Sequence, residues 1–107
     1  GVKQSYEMAK RLFEQAAQLG DVSAMSNLGL MYHEGEGVEQ SYERAKEYYE
    51  QAAQLGFADA QYALGRMYAL GEGVSKDTMK AKSLWTTSAA QGDENAINGL
   101  KWLKQNT

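Results

Sequence analysis

The 107-residue sequence has no cysteine, no proline, one histidine, two tryptophans and two phenylalanines. Without cysteine there is no disulfide, no thiolate nucleophile and no zinc site built on sulfur, and the redox compartment stays open. Without proline nothing in the chain interrupts a helix from within. No apolar run approaches the roughly 18 residues that a bilayer-spanning helix needs, so direct membrane insertion is not expected. No signal peptide opens the chain. Positive charge is also short. Eleven basic side chains face fourteen acidic ones, the net charge is −3 and the signs are interspersed. A nucleic-acid surface usually shows a basic patch or stripe, so no nucleic-acid partner is expected.

What the chain has is repetition. Gly35-Glu36-Gly37-Val38 returns as Gly71-Glu72-Gly73-Val74, and residues 1–36 laid over 37–72 agree at 22 of 36 positions. Tyr6, Ala9, Ala16, Ala17 and Gly20 return as Tyr42, Ala45, Ala52, Ala53 and Gly56, and Ala24, Leu28, Gly29, Met31 and Tyr32 return as Ala60, Leu64, Gly65, Met67 and Tyr68. Self-similarity at a fixed period of about 20–50 residues is the mark of a repeat architecture. The chain starts without methionine and in mid-pattern, because Gly1-Val2 matches Gly37-Val38. It reads as a piece of a longer repeat protein.

Within each unit the apolar residues fall at spacings of three and four, the period of a helix with one buried stripe. Six helices are expected, at about 5–19, 22–34, 41–55, 58–70, 77–91 and 94–104, with no strand. Ser5 is a candidate N-cap, and Gly20, Gly56 and the Gly-Glu-Gly turns are the stops. Turns of two to six residues fit antiparallel helix pairs. Small residues let helices approach closely, so Gly29 and Gly65, each costly inside a helix, are expected to admit a neighbour. Phe13, Tyr49, Trp85, Tyr32 and Tyr68 would fill the wider gaps. The fold class is therefore all-α: a solenoid of antiparallel helix pairs with a 36-residue period and about three copies. Its end stripes are left without a neighbour, so Leu12, Phe13, Leu100 or Trp102 should be partly exposed.

The run Ala-x-x-x-Tyr-Tyr-x-x-Ala-Ala-x-x-Gly at 45–56, followed by Ala60, Leu64-Gly65, Tyr68 and Gly71-Glu-Gly-Val74, resembles the Sel-one-like repeat, a tetratricopeptide-like helix pair. The resemblance covers the whole chain in nearly three registers. It implies a right-handed superhelix whose concave face is lined by the helix ending at Gly-x-Gly. It also implies adaptor or scaffold work. The third copy departs from the pattern, with Lys101 at the place of Gly29 and Gly65, and Lys104 at that of Tyr32 and Tyr68. Members that link their helix pairs by disulfides are not expected to be near relatives.

No chemistry-bearing constellation appears. The two Gly-Glu-Gly loops lack the strand–helix context of a dinucleotide fingerprint and the Gly-Lys-Ser/Thr of a P-loop, and their glutamates would repel a phosphate. His33 has no recurring nucleophile or acidic partner, and the acidic residues show neither calcium-loop spacing nor a His-containing metal set. The expectation is a non-enzyme without cofactor.

Between copies, one row varies while the packing positions repeat. Ser26, Leu30 and His33 become Tyr62, Arg66 and Ala69, then Asn98, Trp102 and Gln105. Tyr, Trp and Arg are enriched in interaction hot spots. Ser26, Leu30, His33, Tyr62, Arg66, Asn98 and Trp102 are thus the expected protein-binding groove. Its ligand would be a protein or peptide bearing a carboxylate and an apolar anchor. The competing reading is a structural spacer whose only partners are neighbouring repeats.

Overall fold

The computed structural model describes residues 2–106, with side chains from Gln4 onward; Gly1, the counterpart of Gly37, lies outside them. Six helices follow one another: α1 Val2–Gln18, α2 Val22–Glu34, α3 Tyr42–Gln54, α4 Ala58–Leu70, α5 Thr78–Ala90 and α6 Glu94–Asn106, with no strand among the described residues. Each helix packs on its chain neighbours and α4 also meets α6, so the elements stack along one long axis of 43 Å against 24 and 20 Å across.

Three of the helix starts, those of α2, α3 and α5, are fixed by side chains. Asp21 accepts from the Ala24 N–H at 3.1 Å, Ser41 from Arg44 at 3.1 Å and Asp77 from Lys80 at 3.0 Å. Each removes one orphan donor of the first turn. Ser5 plays no such part: α1 already runs through it from Val2. The stops recur at the thirty-six-residue period. Gly35 and Gly71 sit at φ +72°, the left-handed cap that a side chain resists, and their N–H groups donate to Met31 and Met67 carbonyls. The following loops then turn back, with Ser41 N–H donating to Tyr32 O and Asp77 N–H to Tyr68 O, both at 2.9 Å.

The core is built of small and large residues in alternation. Ala45, Ala52, Ala60, Ala81 and Ala96 are completely buried, and Tyr49 and Trp85 nearly so. The two helix-interior glycines explain themselves here. A Cβ on Gly29 would lie 2.6 Å from Cε1 of Tyr49, and one on Gly65 would lie 2.5 Å from Nε1 of Trp85. Each glycine is a socket for the ring of the next outer helix. Trp85 is held on its other side by Gly99, and its Nε1–H donates to the Tyr62 carbonyl at 2.9 Å. At the two ends the apolar stripes open out: Leu12 and Trp102 are exposed, Phe13 and Leu100 half-buried.

Two outcomes are expected. Gly65→Ala gains roughly 1 kcal/mol of helix propensity, yet it drives a methyl into a rigid, buried indole. It should destabilise the fold by a net ~1–3 kcal/mol; a urea midpoint at or above that of the parent chain would mean the socket is not tight. The exposed end stripes should make the isolated chain self-associate at high concentration. Sedimentation at monomer mass into the millimolar range would contradict that.

Candidate functional site

Helices α2, α4 and α6 lie side by side and present one face, the face that carries the variable row. Two adjoining concavities open on it. The first, about 320 Å³, lies between α2 and α4 and is lined by Ser26, Leu30, His33, Tyr62 and Arg66, with Asn27, Glu34, Asp59 and Asn95 beside them and Tyr49 among its walls. The second, about 370 Å³, lies between α4 and α6. Tyr62, Arg66, Asn98 and Trp102 line it together with Ala69, Leu70, Trp85, Asn95 and Gly99. Tyr62, Arg66 and Asn95 belong to both, and Tyr62 and Arg66, both on α4, form the ridge between them. All seven residues of the row thus border one or other of two adjoining concavities.

The two chambers differ in chemistry. The α2–α4 chamber carries both signs of charge, with Glu34 and Asp59 as well as Arg66, whereas the α4–α6 chamber has Arg66 as its one charged group and adds the apolar walls Leu70, Trp85 and Trp102. Leu70 and Trp102 each expose close to half of their surface. Arg66 is exposed and makes no hydrogen bond or ion pair with any described residue.

Three residues behave differently from their sequence patterns. His33, expected to line the groove without an acidic partner, has two such partners. It is buried, its Nδ1 lies 3.0 Å from Glu34 Oε1 and its Nε2 lies 3.1 Å from Glu72 Oε1. Glu72 sits in the next repeat's turn, so the imidazole ties two repeats together while still edging the groove. Tyr62 is no free surface residue either. Its ring stacks on Trp85 with centroids 5.8 Å apart, and it packs against the core. Tyr49, expected as core filling only, also lines the α2–α4 chamber. Burial raises the pKa of its phenol, Glu34 and Glu72 push the same way, and Arg66 opposes them. The hydroxyl is therefore held as a donor. Its signal in the sequence was the series Phe13, Tyr49, Trp85 at one repeat position, in which only the tyrosine carries a hydroxyl.

A larger concavity of about 730 Å³ lies between α1 and the start of α3, lined by Glu7, Lys10, Arg11, Glu14 and Arg44. Its charges are mixed in sign, and Arg44 is already placed 5.6 Å from the centre of the Tyr32 ring. It reads as a solvated outer face. Among the described residues no three His, Cys, Asp or Glu side chains could hold a metal ion, and no helix is long and apolar enough to cross a membrane.

The stacking separates the two ridge residues in energy. Tyr62→Ala removes an aromatic pair and part of a core wall and should cost about 1–2 kcal/mol. Arg66→Ala should stay within about 0.5 kcal/mol of the parent chain. Denaturant unfolding of the two single variants checks this; equal midpoints would mean the Tyr62–Trp85 stack carries no stability.

Comparison with known proteins accounts for this architecture. The Sel1 repeat model matches residues 1–21, 22–57 and 58–93. A Sel1 repeat protein from Oxalobacter formigenes superposes with a TM-score of 0.83 at 41% identity over 89% of this chain and 39% of its own. The protective antigen c5321 of uropathogenic Escherichia coli, which displays an SLR fold, gives 0.81 at 37% over 85% of this chain and 20% of its own. Cysteine-rich protein B of Helicobacter pylori gives 0.77 at 26% over 83% of this chain and 67% of its own. The first two relatives are therefore more than twice the length spanned here. A comparison with curated proteins gave no match. With three successive copies of one repeat model across its helix pairs, the chain belongs to the Sel1 repeat family.

Proposed function

We propose that this chain is a non-catalytic protein-binding module whose α2–α4–α6 face takes a peptide segment or the edge of a folded domain. Sel1 repeat proteins are generally protein-interaction and adaptor modules, typically scaffolds rather than enzymes. The observation that supports this reading most is the gathering of the variable row, with Tyr62 and Arg66 shared between two adjoining chambers. Repeat positions that differ from copy to copy carry no packing duty in common, and two adjoining concavities let one ligand touch several of them.

The ligand is read from the walls. Leu70 and Trp102 offer an apolar side chain a place to shed water, at roughly 25 cal/mol per Å² buried. Tyr62 is a large contact surface already ordered by Trp85, so little entropy is lost on binding. Arg66 offers a planar fork to a carboxylate or a main-chain carbonyl. Neighbouring repeats of a longer array are the other natural partners, at the two ends of the stack.

The test uses capture of partners by the chain and by a variant carrying Arg66→Ala and Trp102→Ala. Helical content and unfolding midpoint should hold nearly constant, while affinity for a captured partner falls by at least about tenfold, or 1.4 kcal/mol. Unchanged affinity would identify the segment as a spacer whose recognition surface lies elsewhere.

A further inference from the structure

The α2–α4 chamber contains a polar group that the fold does not use. Tyr49 is 96% buried, being 4% exposed, and lines that chamber. Its ring fills the Gly29 socket. Its hydroxyl makes no hydrogen bond with any described residue, yet it is not sealed off, because no fully enclosed side-chain oxygen or nitrogen lacks a partner. The hydroxyl therefore points at the chamber. The equivalent rings are Phe13, which has no polar atom, and Trp85, whose Nε1–H is satisfied inside the protein at Tyr62 O. The socket needs a ring and does not need a hydroxyl. Phenylalanine would fill the same socket, which leaves the hydroxyl free to act in the chamber.

Charge decides what the donor takes. The chamber walls carry two acids, Glu34 and Asp59, against one base, Arg66. Burial and Glu34 raise the phenol's pKa in keeping with that balance, so negative charge at this oxygen is disfavoured. A ligand carboxylate set against the hydroxyl would meet the same field. A neutral carbonyl would not, and it still accepts hydrogen bonds from a phenol and from a guanidinium.

We infer that this chamber is a main-chain recognition subsite, in which a carbonyl of an extended peptide accepts from the Tyr49 hydroxyl and from Arg66, with no acidic group of the ligand at that point. The inference rests on the binding-groove reading above and narrows it from carboxylate or carbonyl to carbonyl. The unpartnered side-chain amides of Asn27 and Asn95 in the same chamber extend the pattern. Each offers both a donor and an acceptor, the complement of a peptide unit.

The test probes the 107-residue chain with two octapeptide libraries lacking Asp and Glu, one N-acetylated and C-amidated, the other N-acetylated with a free C-terminal carboxylate. Parent, Tyr49→Phe and Trp102→Ala chains are compared. The capped library should yield binders whose affinity falls at least fivefold in Tyr49→Phe, while its unfolding midpoint stays level or rises. Capture that is weakened by Trp102→Ala but untouched by Tyr49→Phe overturns the subsite and leaves the groove in place. So does capture confined to free-carboxylate peptides. Failure of the parent chain to capture either library overturns both.

Discussion

A ring set into a missing side chain holds the repeats in register. Gly29 receives Tyr49 and Gly65 receives Trp85, each at a separation that a single methyl group would abolish. Much else in the structure depends on that contact. It sets how closely one helix pair approaches the next, which in turn lets Ala45, Ala52, Ala60 and Ala81 be completely enclosed. Helix propensity alone would favour alanine over glycine by roughly 1 kcal/mol at each site. The glycines persist because close packing contributes more than the backbone entropy they cost.

The same contact links the scaffold to its open face. Trp85, seated in Gly65, also lies against Gly99 and donates to the Tyr62 carbonyl, and the Tyr62 ring stacks upon it. A groove residue is thus positioned by a core residue of the following helix. Rigid aromatic contacts of this kind lose little freedom when a partner arrives. In the first two copies Ser26 and Leu30 can give way to Tyr62 and Arg66 because the same glycine socket fixes the backbone beneath them.

How much of this could be read from residues alone follows from what periodicity encodes. A thirty-six-residue recurrence and a three–four apolar spacing report which residues share a helix face, so the helix pairs, the glycine sockets and the shared face of Ser26, Leu30, Tyr62, Arg66, Asn98 and Trp102 were legible. Contacts that cross from one copy to the next are not encoded in that way. His33 meets Glu72 thirty-nine positions on, and Ala69 in the following copy gives no hint of it. Tyr49 looked like core because its ring is core; only its last atom is not. Ser5 looked like a cap because Ser41 is one, but α1 continues through Ser5 whereas α3 begins after Ser41.

The third copy shows what happens when the sockets run out. Two features of each inner helix meet the next outer helix. One is the glycine. The other is the tyrosine three residues on, over which a cation of the next outer helix lies: Arg44 at 5.6 Å from the Tyr32 ring centre and Lys80 at 4.9 Å from that of Tyr68. In α6 both positions are exposed lysines, Lys101 and Lys104. A side chain now stands where a ring would enter, and a cation stands where an aromatic face would receive one. The outer surface of α5 and α6 nevertheless keeps an apolar hollow beside Met79, Leu100 and Leu103. Apolar area without a socket still favours contact, since burial is non-directional, but it no longer dictates register. A helix packing there would meet lysines first, and its geometry would have to differ from that of the two junctions before it.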